Sequence, residues 1–146
     1  VGVGVGGGKQ AVRGSVDLGR CERLASPAQR LALIARDKGC TRPGCETPAS
    51  MCAVHHVTDW VEGGPTDLDN LTLACDHCHA LVNDSAEGWK TVVMGKDSPY
   101  RGRTGWIAPR SLDPTGIPRV NDRHHVGARV AAAIESSCLG WGSRAA

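Results

Sequence analysis

Between Cys40 and Asn83 the chain sets two cysteine pairs, Cys40-x4-Cys45 and Cys75-x2-Cys78, on either side of His55-His56 and Asn70, with His79 directly after the last cysteine. Two short-spaced thiol pairs can close a tetrahedron around zinc, which favours thiolates in structural sites. Cys40, Cys45, Cys75 and Cys78 are therefore the expected structural zinc ligands. Cys52 lies between the pairs and competes for a place, but reads better as a buried thiol. Cys21 and Cys138 have no partner pattern. Histidine is the natural base near neutral pH and a common metal ligand. Adjacent residues on a strand point to opposite faces, so His55 and His56 can do different work.

The elements that must position these groups are short. Ser26-Pro27-Ala28-Gln29 has a cap, a proline for the first helical position and a capping-box partner. Leu31, Ile34 and Ala35 predict an apolar stripe, and Gly39 a left-handed stop after Lys38. Arg42-Pro43-Gly44 predicts a tight knuckle between the first two cysteines. Strands are expected at Cys52–Val57 and Leu71–Ala74, joined through a Gly63-Gly64-Pro65 loop. A helix is expected from Cys75 to Asp84, with Leu81 and Val82 as apolar anchors. Successive helical positions are about 100° apart, which lets Cys78 and His79 face different metals. Trp89–Met94 predicts a third strand. Pro99, Pro109, Pro114 and Pro118 then interrupt regular structure until a last helix at Val126–Ile134.

The run Cys52-Ala-Val-His55-His56-Val, then Gly63-Gly64-Pro65-Thr66-Asp67-Leu68-Asp69-Asn70-Leu71, then Cys75-Asp-His-Cys78-His79, resembles an HNH endonuclease domain. The flanks are similar to the C-terminal part of actinobacterial, largely mycobacterial, repeat-family proteins that end in such a domain. These flanks are Ala25–Arg30, Arg36-Asp37, and Gly102-Arg103-Thr104 through Pro118–His125. The resemblance implies an α+β fold: a small zinc-stapled ββα-metal domain, also called a His-Me finger, with a flanking helix and an irregular Pro/Gly-rich tail. It implies a metal-dependent HNH endonuclease acting on phosphodiester bonds in DNA. His56 would be the general base and His55 and His79 ligands of a catalytic Mg²⁺, Mn²⁺ or Ni²⁺. Asn70 would hold the base strand and help orient His56.

Family members often carry a second histidine one turn after the position of His79, where this chain has Asn83. Asparagine offers a carbonyl oxygen to a hard cation but is a weaker ligand than imidazole for nickel or zinc. The alternative function is a zinc-binding nucleic-acid or protein interaction module that has lost cleavage.

Composition bounds these readings. At 146 residues the chain fits one small domain with tails. With no Phe and 3% aromatic residues, its core is modest and in need of a staple such as a metal. Seven cysteines are an odd count, against a pure disulfide framework. Without a secretory h-region, this favours a reducing, cytoplasmic setting. No apolar run reaches membrane-spanning length.

The expected organisation is a disordered Gly-rich segment over 1–20, the nuclease domain with its leading helix over 21–96, and a largely irregular extension over 97–146. The Gly-rich start lacks the Lys-Ser/Thr and strand context of a phosphate loop. The start at Val1 is expected to mark a fragment or an alternative start codon. A net charge of +2 does not itself announce nucleic-acid binding. Arg42, Lys90, Lys96, Arg101 and Arg103 are candidate phosphate contacts. His77 is expected to face solvent or phosphate, His124-His125 to be surface or structural residues, and Asp67 and Asp69 to cap the turn around Asn70.

Overall fold

Strand β1 (Cys52–His56) pairs antiparallel with β2 (Leu71–Cys75), with His55 opposite Thr72, His56 opposite Leu71 and Cys52 opposite Cys75. The computed structural model of the chain describes residues 17–141, with side chains through residue 137. Every residue of β2 is buried, because helix α1 (Pro27–Asp37) packs on it and α2 (Asp76–Ala80) leads directly out of it. Leu71, Leu73 and Ala74 join Leu33, Ala49, Trp106 and the cysteines Cys40, Cys52, Cys75 and Cys78 in one core. A second hairpin, β3 (Lys90–Val93) with β4 (Thr104–Ile107), completes the α+β arrangement expected from the sequence. No helix among the described residues is long and apolar enough to cross a membrane.

Helix α1 starts as expected, with the Ser26 and Gln29 capping box formed. Its buried face differs from the expected stripe. Leu31 is exposed, whereas Gln29, Leu33 and Asp37 are buried. These three recur every four residues and so share one face. Two of them are polar, which hides the face from an apolar-periodicity reading. Each polar member is compensated: Gln29 Nε2 donates to the Thr66 carbonyl at 2.7 Å, and Asp37 Oδ2 accepts from the Leu73 amide at 3.1 Å. The left-handed stop also moves by one residue. Lys38 adopts it, with φ of 63°, and its amide bonds the Ile34 carbonyl.

Helix α2 ends at Ala80 rather than Asp84. The chain leaves it because Val82 bridges Trp89 and the Trp89 amide bonds the Leu81 carbonyl. Asn83 is thus past the helix.

Residues 97–146, expected to be largely irregular, contain β4 and α3 (Val126–Trp141). Trp106, on β4, is fully buried and its Nε1–H donates to Thr41 Oγ1 at 3.0 Å. Of the leader expected to be disordered, residues 1–16 lie outside the described residues. Asp17–Arg20 pair with the loop before β2: the Leu18 amide bonds the Thr66 carbonyl, the Thr66 amide bonds the Gly19 carbonyl, and the Gly19 amide bonds Asp67 Oδ1.

Trp106 ties the second hairpin to the first, so its truncation should be costly. Trp106→Ala is expected to lower unfolding free energy by about 3–5 kcal/mol. Trp106→Phe keeps most of the bulk, loses the bond to Thr41, and should cost about 1 kcal/mol. Denaturant titrations of the two variants check the order.

Candidate active site and metal centre

The four expected thiols converge. Cys40 and Cys45 flank the knuckle, Cys75 ends β2, and Cys78 lies on the first turn of α2, all with Sγ atoms within 4.8 Å of one another. A tetrahedral zinc with bonds of about 2.3 Å needs sulfurs about 3.8 Å apart. The Cys45 and Cys75 sulfurs are 3.9 Å apart. The chemistry of the set also suits a cation. Burial pushes the Cys40 thiol up to about 11 and raises that of Cys78 as well. Burial opposes ionisation of Cys45 too, but hydrogen bonds from Thr47 outweigh it and bring that thiol down to about 7. Four crowded sulfurs with one easily ionised member form a donor set that a divalent metal completes by displacing protons.

Cys52 stays outside the cluster. Its Sγ contacts the Pro48 carbonyl at 3.3 Å, and burial, then the neighbouring thiols, raise it to about 12. Cys21 is exposed.

The two histidines of β1 face apart. The His55 ring meets that of His79, on α2, edge to face with centroids 4.8 Å apart. Burial first, then the neighbouring His79 and His56, hold His55 down to about 4, so it is a neutral imidazole with a free lone pair at neutral pH. Two imidazoles so placed fit a shared metal ion. Thr91 on β3 lies 3.4 Å from His55 Nε2 and donates to the Val57 carbonyl, linking the second hairpin to this histidine.

His56 points instead toward the loop. Its Nε2 is 3.0 Å from Thr66 Oγ1, and its ring lies edge-on to Trp60. Burial lowers the pKa of His56. Thr66 is itself fully buried and held through its carbonyl by Gln29. Arg20 lies over Trp60, 3.9 Å from the ring centroid, and bonds the Trp60 and Gly64 carbonyls.

Asn70 closes this loop. Its Oδ1 accepts from the Thr58 amide at 2.8 Å, and its Nδ2 donates to the carbonyls of Thr58 and Pro65 at 3.0 and 2.9 Å. The Val57 amide bonds the Asn70 carbonyl. Asn70 thus holds the two residues after His56 rather than the ring itself. The approach needs a glycine at Gly64, where a Cβ would lie 1.9 Å from the Thr58 carbonyl oxygen.

The remaining expected site residues separate. Asn83 is exposed. Its Oδ1 accepts from the amide and hydroxyl of Ser85, and its Nδ2 donates to the Leu81 carbonyl. With α2 finished at Ala80, the expected geometry of one helical turn beyond His79 does not form. Arg42 stacks its guanidinium 4.6 Å from the Trp89 centroid, with a buried Nε that has no hydrogen-bond partner. Lys90 pairs with Asp84 at 2.6 Å, and both are exposed. Arg101 is exposed. Arg103 is committed inside the fold to Asp122 at 2.7 Å and to the Asn121 carbonyl at 2.5 Å.

Thr66 and Thr91 were not singled out in the sequence. Their hydroxyls act through space, and only the closeness of Thr66 to Asn70 in the loop hinted at a place near the base.

With this geometry in view, comparison defines the class. Residues 38–85 match the family model described as HNH endonuclease, and the chain carries an HNH domain there. That match points to nuclease-type or nucleic-acid-related chemistry. Across 104 residues the chain is 49% identical to the uncharacterized protein Rv1945 of Mycobacterium tuberculosis, covering 71% of this chain and 21% of that protein. It is equally similar to the uncharacterized protein Mb1179c of Mycobacterium bovis, at 49% over the same shares. A further relative, Rv1128c of M. tuberculosis, is 46% identical over 71% of this chain and 21% of that protein. The chain spans about a fifth of the length of these curated relatives. No solved structure matches it.

Asn70→Ala would strand three partners around the loop, two of them on Thr58. It is expected to lower stability by about 1–3 kcal/mol, read by chemical denaturation. Proteolysis should cut first between residues 57 and 66.

Proposed function

We propose that this domain is a metal-dependent HNH endonuclease that hydrolyses phosphodiester bonds in DNA, with His56 as the general base. The observation that carries the reading is the opposed facing of neighbours on β1. His55 lies against His79, while His56 reaches Thr66 across the loop. Thr66 Oγ1 donates to the Arg23 carbonyl at 3.3 Å, so the hydroxyl accepts from His56 at Nε2–H. The tautomer follows from that bond network: Nδ1 keeps the lone pair and takes the proton from water. The lowered pKa of His56 keeps it unprotonated and ready near neutral pH. Asn70, by fixing residues 57 and 58, limits where the base can swing.

His55 and His79 would hold a divalent cation, Mg²⁺, Mn²⁺ or Ni²⁺. Once bound, it supplies positive charge to the scissile phosphate and leaving oxygen. Cys40, Cys45, Cys75 and Cys78 would hold a structural zinc that fastens the strands carrying these histidines. Arg42, Lys90 and Arg101 are the proposed phosphate contacts, which orient DNA without reading its sequence. Arg103 is left out because its guanidinium is spent within the fold.

One observation favours a second reading, a zinc-held interaction module without cleavage. The Asn83 oxygen is taken by Ser85, and among the described residues His55 and His79 belong to no group of three or more His, Cys, Asp or Glu side chains placed to share an ion.

Two experiments test the proposal. Reduced, folded protein should contain one zinc per chain by elemental analysis, and Cys75→Ser should unfold or aggregate, since structural zinc binding is coupled to folding. Folded protein without zinc would remove the four-thiolate site. In plasmid nicking with Mg²⁺, Mn²⁺ and Ni²⁺, His56→Ala should lose activity by about 10²–10⁴-fold with zinc content unchanged. His55→Ala and His79→Ala should be partly rescued by excess metal, and Asn83→Ala should leave the metal dependence unaltered. A parent chain that nicks no plasmid under any of these metals would favour the interaction module instead.

A further inference from the structure

Outside residues 38–85, a short segment of the C-terminal extension grips the knuckle. Asn121 is buried, and its Nδ2 donates to the Cys40 carbonyl at 2.7 Å and the Cys45 carbonyl at 2.8 Å. One amide group thus joins the main chain of both knuckle cysteines, from 81 and 76 residues away. Asn121 is in turn held fast. Its Oδ1 accepts from the Arg123 amide at 3.1 Å, and its own carbonyl accepts from Arg103. Two neighbours reinforce the grip. Arg123 pairs with Glu46 at 2.5 Å. The His124 ring lies so close to Gly39 that a Cβ there would come within 2.4 Å of it. Gly39 is therefore required for close approach, while the helix stop falls on Lys38.

We propose that Asn121 is a positioning residue for the metal knuckle, so that the extension after the HNH motif keeps the zinc in place. The inference rests on the four-thiolate reading above and goes beyond it. The knuckle lends an amide to its own sulfur, since the Arg42 backbone hydrogen-bonds the Cys40 thiol, and its buried carbonyls then need partners elsewhere. Water can satisfy such carbonyls, but water does not fix the distance between them. A single carboxamide bonded to both sets the separation of the two ends of the knuckle, and through them that of the Cys40 and Cys45 sulfurs. Partners one shell out from a metal commonly change its affinity by about 10–100-fold. Asn121 has the reach, burial and anchoring of such a partner, although it touches no ligand atom.

The test is zinc retention by the full chain. Zinc-loaded parent, Asn121→Asp and Asn121→Ala are mixed with excess chromophoric chelator, and the rate of zinc release is followed. Asn121→Asp keeps the shape but loses both donors. Asn121→Ala removes them without adding charge, and serves if the aspartate variant does not fold. Leu33→Ala is the control, since it weakens the core without touching a knuckle carbonyl. Release from the Asn121 variants is expected to be about 10–100-fold faster than from the parent, and faster than from Leu33→Ala at matched folding stability. A cobalt-substituted Asn121 variant should also show altered thiolate-to-cobalt absorption. Release no faster than from Leu33→Ala, with an unchanged cobalt spectrum, overturns the assignment while leaving the zinc site standing. A parent chain that takes up no zinc overturns the four-thiolate reading, and this one with it.

Discussion

Four sulfurs drawn within 4.8 Å of one another cannot all be anions without a cation among them, and most of the local order follows from where they meet. Cys75 is at once the end of β2, the partner of Cys52 across the sheet and the residue from which α2 departs. The knuckle of Cys40 and Cys45 comes from the segment that follows α1. A metal at their meeting point would join the helix, hairpin and second helix at one place. Such a joint matters where the core among the described residues has ten buried apolar side chains, four of them cysteines. It would also explain why a five-residue helix persists, since α2 is too short to be stable alone and starts at one of the four clustered thiols.

The histidines inherit their geometry from that joint through simple alternation. β1 is registered against β2 as far as His56 and Leu71, so neighbours on the strand are committed to opposite sides. One side is closed by α2, which carries His79. The other is closed by the loop from Val57 to Asn70, braced from inside by the Asn70 side chain and from outside by Asp17–Arg20. His55 sits in the more buried position, and its imidazole is held neutral more strongly for that reason. That the two neighbouring histidines face opposite sides, one toward His79 and one toward Thr66, is thus a property of the pleat, and the loop decides only how firmly the second one is held.

What could be read from the chain beforehand was local. The cysteine pairs and the capping box at Ser26 and Gln29 depend on residues a few positions apart, and the paired strands on either side of Gly63-Gly64-Pro65 are joined by one loop; the structure has each of them. The misreadings have a common physical cause. Gln29 and Asp37 are polar residues on the buried face of α1, satisfied by Thr66 and Leu73 some 36 residues away or more. Apolar periodicity cannot register such a face. Lys38 takes the left-handed position because the chain must turn into the knuckle there, while Gly39 is kept small by His124. The end of α2 is set by the pairing of Val82 with Trp89, and Asn83 moves with it. Trp106 and Asn121 matter through bonds to partners 65 and up to 81 residues distant, and no spacing rule reaches so far, while Thr66 meets His56 only because the loop folds back on the strand.

These long-range bonds form a connected set. Trp106 donates to Thr41, Thr41 bonds Thr72 and the Leu73 carbonyl, and Asp37 accepts from Thr72 and the Leu73 amide. Arg36 closes the line by pairing with Asp37 at 2.7 Å and bonding the carbonyls of Leu68 and Leu71. A core without phenylalanine has little shape to distinguish one packing from another, whereas directional bonds between buried groups tolerate one arrangement. The network therefore sets how the second hairpin docks on the first, and that docking brings Thr91 to His55. Asn121 extends the same logic to the knuckle. The segment matching the HNH model contributes the clustered thiols and the paired histidines, and the flanking chain, by means of buried polar contacts, determines how rigidly they are held.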